Sequence, residues 1–492
     1  MIIPFGQWAP DLPIYKNDGL VELMNAKPAA RSYEPMNDLL PTSNALDGRC
    51  LGMFGTMDEG RVAFNFAGDN AKLYQLSGNT WSNVSQAGNY TVADDETWSF
   101  DKFGNLVIAV VWGEAPQQFD ITSAALFSDL SATAPKARHV GVVRDHVVLG
   151  NINDAVDGDV PYRVHWSPAL DPTGVWTPDI ATLAGRQDLA GDGGWVQGIV
   201  GGEFGIVFQE WSVWRMSLAG LPVIWQFDEI EKRQGTPSPR SIIKYRNLAY
   251  YLGQDGFYAT DGGGPSQAIG DNRIDRFVAS DLQPNAHAAV VGAVDPEDQM
   301  LYWAYPGADA VGGVPNRMVI YSISDNKWGV ADIDVEYLGW LRTDSQDMDT
   351  DINALYPNLD LMPISLDSTQ WGSQGRRIAG FGPLHTSGSF DGSPLTATFR
   401  TGAHSLSDSK QRHLVQNFRP LVEGGGTIKC QISGKTRVDE ADAFSTAEGA
   451  DDEGDCPTLT PGRYFSWKIT AEDGFDHAIG INVTEASPDG DH

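Results

Sequence analysis

Cysteine is nearly missing: Cys50, Cys430 and Cys456 are the three in 492 residues, widely separated and odd in number. A disulfide framework is therefore not expected, and assembly in a reducing cytoplasm is the simpler reading. The sequons at Asn83, Asn89 and Asn482 then carry little meaning. No stretch approaches the roughly 18 apolar residues of a membrane span. The opening MIIPFGQWAPDLPIYK has neither a basic n-region nor a long apolar core, so neither a secretory signal nor an anchor is expected. Basic residues are scarce as well, 34 Lys and Arg against 65 Asp and Glu for a net charge of −31, which argues against wrapping DNA by phosphate neutralisation. An acidic wall serves solubility, or lines a conduit through which a polyanion passes without sticking. Long helical periodicity is nearly absent too.

What the chain does have is repetition. A short apolar run, a Gly/Asp/Asn turn, a second apolar run and an aromatic marker recur between Arg61 and Gly307. The run cores are RVAFNF (61–66), NLVIAVVW (105–112), HVVLGNI (146–152), FGIVFQEW (204–211), NLAYYLG (247–253) and MLYWAYPG (300–307). Their starts fall about 40 to 60 residues apart, the length of a propeller blade. Pairs such as Tyr74/Trp81, Trp166/Trp176, Trp214/Trp225 and Tyr321/Trp328 flank turns, as an outer hairpin requires. A four-stranded blade cannot bury both faces alone, so neighbours must stack around an axis. We expect an all-β chain: a β-propeller of about six to seven blades over residues 51–370. The aromatics inside its strands are expected to pack between blades.

Two flanking regions differ. Residues 1–50 carry spaced prolines (Pro4, Pro10, Pro13, Pro28, Pro35) and read as an extended arm, lying on its own propeller or on a neighbouring subunit. Residues 371–492 contain five or more short strand patterns and read as a β-sandwich, or as strands that close the propeller. Long polar interruptions stand at 171–194 and 343–363, and an acidic loop at 441–455.

Chemical motifs fail their tests one by one. Gly434-Lys435-Thr436 ends like a phosphate-binding loop, but Lys429 stands where the leading Gly is needed and the segment reads as strand. Gly264-Pro265-Ser266 continues into Gln267-Ala268, so no nucleophile elbow exists there. His139 and His146 lie seven apart across a strand turn and suit a structural role better than zinc. Asp347-x-Asp349-x-Asp351-x-Asn353 resembles the start of a calcium loop, yet Ile352 replaces the turn Gly and Asn358 the bidentate Glu. SLDSTQW (365–371) and SISDNKW (322–328) resemble sialidase turns but lack the Gly after Asp. A paired-carboxylate glycosidase site is set by the fold and leaves no spacing to read. No catalytic, cofactor-binding or metal residue is assigned, and no cofactor or enzymatic activity is expected.

The whole chain, loosely and in order, resembles the β-propeller tail nozzle proteins of short-tailed bacteriophages, also called tubular tail or stabilisation proteins. The resemblance is carried by PFGQWAPDLPIYKNDGLVELMNAKPAARSYEPMNDLLP (4–41), NLAYYLGQDGFYATDGGG (247–264), RMVIYSISDNKWGV (317–330) and GRYFSWKITAEDGFDHAIGINVTEASPDG (462–490). The interruptions at 171–194 and 343–363 have no counterpart in it. It implies a structural virion protein of the tail, assembled in the host cytoplasm. A ring of six identical subunits would sit below the portal or head-to-tail adaptor and contact tail fibre proteins. Double-stranded DNA would pass through without sequence-specific binding, and the tip could face the host surface. A propeller-type glycosidase or polysaccharide depolymerase, or a carbohydrate-binding propeller, is the alternative.

Overall fold

The computed structural model describes residues 1–15, 17–342, 376–407 and 411–489. The Asp347–Asn353 loop and the 365–371 turn lie outside them. Among the described residues, seven four-stranded antiparallel units follow one another, and each begins with the strand nearest a common axis. The innermost strands are Gly52–Met57, Ser99–Phe103, Lys136–Val143, Val196–Val200, Ile243–Tyr245, Val291–Asp295 and Tyr337–Arg342, taken here as the openings of blades 1 to 7. The innermost strands of blades 7 and 1 pack on each other, so the ring is closed.

The six repeated runs are each the second strand of a blade, from Ala63–Gly68 in blade 1 to Met300–Tyr305 in blade 6. Their near-continuous apolar character follows from burial on both faces. Leu106–Val110 and Met300–Tyr305 sit between two neighbouring sheets instead of facing water on one side. Seven apolar clusters fill the gaps between successive blades, the one between blades 5 and 6 running on into the C-terminal module. Indoles brace these layers. Trp98 Nε1 of blade 2 donates to the Asp69 carbonyl of blade 1 at 2.8 Å, and Trp303 Nε1 of blade 6 to the Ser241 carbonyl at the entry to blade 5 at 2.9 Å. Tyr321 and Trp328 pair directly across an outer hairpin, ring centroids 4.5 Å apart.

Among the described residues, blade 7 has three strands of its own. Tyr337–Arg342, Arg376–Phe381 and Thr386–Ser389 are completed on the outside by Leu40–Ala45 from the N-terminal region. A strand from one chain end thereby locks the last blade, and Trp81 Nε1 of blade 1 ties to Ser387 Oγ of blade 7 at 3.0 Å. The propeller thus runs on to Ser389, past the expected limit of 370, because its seventh blade resumes after the long interruption.

Residues 1–50 are not the extended arm expected of them. Ile2–Pro4, Leu20–Met24, Ala26–Ala29 and Ser32–Pro35 are strands of a two-sheet sandwich built mostly from the C-terminal region. One sheet orders Leu20–Met24, Ala397–Thr401, Tyr464–Glu472, Thr427–Lys435 and Glu448–Gly449. The other contains Ala26–Ala29, Ser32–Pro35, His477–Pro488, His413–Glu423 and Cys456–Gly462, with Ile2–Pro4 beside His477–Pro488. The prolines misled because they sit where ladders are incomplete. The Ala26–Ala29 strand meets blade 6 only through the Ala26–Val330 pair, so Pro28 has no hydrogen bond to give on that side. Through that same pair, the sandwich sheet continues the outer strand of blade 6.

The cysteine expectation also needs correcting. Cys430 and Cys456, 26 residues apart with Cα atoms at 6.5 Å, form a disulfide that joins the two sheets. The intervening acidic loop carries the chain from one sheet to the other, and sequence spacing alone does not show that return. Cys50 is a free, buried thiol.

Candidate functional site

Every blade is entered through its innermost strand, so the seven strands run in one sense along the axis, starting at one mouth and ending at the other. They enclose a channel of about 660 Å3. The strands approach closely because glycines stand where neighbours press in. A Cβ on Gly141 would meet Ile199 Cγ2 at 2.7 Å, and one on Gly339 would meet Met53 Cγ at 2.5 Å. These contacts shape a narrow, backbone-rich wall.

At the mouth where the inner strands end, the channel wall carries Lys102 of blade 2, Lys244 of blade 5, and Arg342 and Arg376 of blade 7. Lys102 Nζ donates to the Met57 carbonyl, and Lys244 Nζ to the Gly201 carbonyl at 2.5 Å, so each ammonium bridges to the preceding blade. The Trp340 ring is flanked by Arg376, its guanidinium carbon 4.4 Å from the ring centroid, and by Arg342 at 5.4 Å. The Arg342 backbone is clamped by Asn65 of blade 1, whose side-chain amide accepts from the Arg342 N–H at 2.7 Å and donates to its carbonyl at 2.8 Å. Burial and then the nearby Arg376 charge push Arg342 below its ordinary value. Burial lowers Lys102 as well, with Arg342 adding to the effect and Asp58 and Glu59 opposing it. These cations therefore sense one another.

Asp101 is the carboxylate of this wall. Its oxygens accept the Val142 N–H of blade 3 and the Lys102 N–H, each at 2.7 Å. Burial pushes its carboxyl up from 3.8 to about 6, against the pull of those bonds and of Lys244. A carboxyl raised in the folded state takes up a proton on folding between these two values. Its stabilising effect is complete below about 4 and is lost as pH rises through about 6. Asp101→Asn is accordingly expected to flatten the fall in unfolding free energy between pH 4 and 6. Urea titrations of both proteins at three pH values in that window would check it, and parallel slopes would contradict it.

The opposite mouth is aromatic. The Arg138 guanidinium carbon lies 4.5 Å from the Trp112 ring centroid and 5.5 Å from that of Trp195, and Arg138 pairs with Glu96 at 2.8 Å. Trp195 and Trp211 leave 47% and 46% of their surface exposed on this rim. A second space of about 660 Å3 separates blades 6 and 7 from the sandwich, walled by acids such as Glu34, Asp295, Asp298 and Asp476, with Lys27 and Arg377 among them.

The motifs weighed in the sequence take structural places. Lys435 is buried in a sandwich strand and pairs with Asp442 at 2.8 Å, so it is not a phosphate-loop lysine. Ser266 Oγ accepts from the Tyr251 hydroxyl at 2.8 Å. His139 lies on the channel wall, where burial lowers its pKa to about 3, whereas His146 is buried against Trp225 in the layer between blades 3 and 4. Among the described residues no three His, Cys, Asp or Glu side chains gather as a metal site. The cationic mouth escaped the sequence reading because its members come from three blades. The available signal was positional: Lys102, Lys244 and Arg342 each stand at or one residue before the end of a blade's first strand.

No family model and no curated protein matches the chain. Among solved structures it is similar to the extracellular domain of a one-component system from B. thetaiotaomicron, at 10% identity and TM-score 0.42, covering 81% of this chain and 46% of that one. It therefore spans less than half of that chain. It is also similar to the WD40 domain of Pan2 from Neurospora crassa, at 7% identity and TM-score 0.39, covering 73% of this chain and 95% of that one. A computationally designed protein, Ika8, aligns at 8% identity and TM-score 0.37 over 72% of this chain and 98% of its own. Likenesses this distant say nothing about function, and the blades are read from the strand ladders themselves.

Proposed function

We propose that the chain is a structural protein of a short bacteriophage tail. It forms a homo-oligomeric ring, six subunits by the resemblance, below the portal or adaptor, with tail fibres as further neighbours. It is assembled in the host cytoplasm and resides in the virion. The observation that carries this reading is the weaving of both chain ends into one body. The N-terminal residues supply strands to the sandwich, its Ala26–Val330 link to blade 6 and the outer strand of blade 7, while the C-terminal strands make up the rest of the sandwich. A unit whose modules cannot part suits a wall that bears pressure while DNA passes. The order of its parts also follows the tail proteins that the sequence resembles. Native mass spectrometry of the purified full chain tests the reading: a ring-sized oligomer is expected, and a monomer at all concentrations would contradict it.

The half-exposed Trp195 and Trp211 favour a second reading, a propeller that binds or cleaves polysaccharide, since flat indole faces stack on sugar rings. A monomer that depolymerises a capsular or lipopolysaccharide glycan would establish it in place of the first.

A further inference from the structure

We infer that the channel mouth bearing Lys102, Lys244, Arg342 and Arg376 is a binding site for a small phosphate-bearing anion, independent of whether the chain forms a tail ring. The charge distribution leads there first. In a chain with 65 acids and 34 bases, four cations from blades 2, 5 and 7 converge on one end of one cavity. Among the described residues, the acids that face them are Asp58 and Glu59 beside Lys102, and Asp101, whose carboxylate is already engaged by two backbone N–H groups.

The donors still available point the same way. An ammonium has three hydrogens, and the single carbonyl bonds of Lys102 and Lys244 leave two on each for a ligand. Arg376 lies over Trp340, and among the described residues no carboxylate pairs with it, unlike its neighbour Arg377, which is held by Asp391. Stacking fixes the guanidinium plane while leaving its edge N–H groups open, the geometry in which arginine grips a phosphate in two places. Arg342 and Arg376 sit on one indole close enough for each to raise the energy of the other's charge, a repulsion that a bound dianion relieves. The cavity, about 660 Å3, admits more than one phosphate group. Trp340 is covered by Arg376, Arg342 and Phe54, so a ligand here is gripped by charge and not by ring stacking.

The experiment is isothermal titration of the full chain with tripolyphosphate, inorganic phosphate and sulfate at low salt, beside Arg376→Gln and Lys244→Gln variants. Tripolyphosphate is expected to bind tightest, and phosphate and sulfate more weakly. Arg376→Gln should weaken binding by about tenfold or more, the value of one charge-assisted contact. Because Lys244 also bridges blades, Arg376→Gln, which removes no inter-blade hydrogen bond, is the deciding variant, and its urea midpoint should match the wild type. Equal affinity of wild type and Arg376→Gln, or no heat with tripolyphosphate at millimolar concentration, would overturn the inference.

Discussion

A chain lacking residues 1–45 is expected to fail to fold, and to collect as aggregate or as a compact state without fixed aromatic packing. The missing segment supplies four strands to the sandwich and the outer strand of blade 7. Phe5, Trp8, Leu20, Leu23 and Tyr33 are each at most 2% exposed. Phe5 stacks on Phe399 with centroids 5.1 Å apart, and the Tyr33 hydroxyl accepts from the Trp8 N–H at 2.9 Å while donating to the Gly6 carbonyl at 3.1 Å. Asp11 accepts the Arg276 and Phe277 N–H groups, capping the short helix Asp275–Asp281. Five such side chains, at about 1.5–3 kcal/mol each, amount to about 10 kcal/mol, comparable to the whole stability of a typical domain. Near-UV circular dichroism of the truncated chain tests this, and a wild-type aromatic spectrum would refute it. The point substitution Trp8→Ala should lower stability by about 3–5 kcal/mol without abolishing folding.

The second large effect is expected at Arg163 in blade 3, whose side chain is 7% exposed. It holds Asp188 through two bonds of 2.6 and 3.0 Å and Asp157 through one of 2.6 Å, with Asp154 at 3.7 Å. Arg163→Met keeps the buried stem but leaves these carboxylates facing one another with only Arg186, 3.2 Å from Asp154 and 3.0 Å from Asp157, to balance them. Removing one partner of a buried pair costs about 3–5 kcal/mol. Partial exposure of Asp157 and Asp188 reduces that here to about 2–3 kcal/mol. The Arg163 contact holds Asp188 below its ordinary value of 3.8, so the stability it gives is present above that pH and lost as pH falls below it. The gap between wild type and Arg163→Met in urea midpoint should therefore be largest near neutrality and close toward pH 3. A gap constant with pH would show that packing and not charge is responsible.

Both predictions bear on what the sequence could and could not convey. Six second strands were legible because burial on both faces makes runs such as NLVIAVVW and MLYWAYPG nearly all apolar over a blade-length period. The seventh blade was not, because its second strand, RRIAGF, begins with two arginines, and its outer strand comes from some three hundred residues upstream. The fate of residues 1–50 was hidden for a related reason: a strand paired at only one position on one side tolerates proline, so Pro28 and Pro35 read as arm although they sit in a sheet. The Cys430–Cys456 link depends on a chain return that no local pattern encodes. At the candidate site, the cationic mouth was not readable, since Lys102, Lys244 and Arg342 become neighbours only when seven blades close around one axis.

The central claim is that this woven body is a unit of a tail ring. A cryo-electron reconstruction of virions that contain the chain tests it most directly. The account predicts a ring of identical copies below the portal, each with a seven-bladed propeller fused to its sandwich and DNA density along the shared axis. Particles in which the chain is absent from the tail, or present as single copies on the surface away from the DNA path, would contradict it.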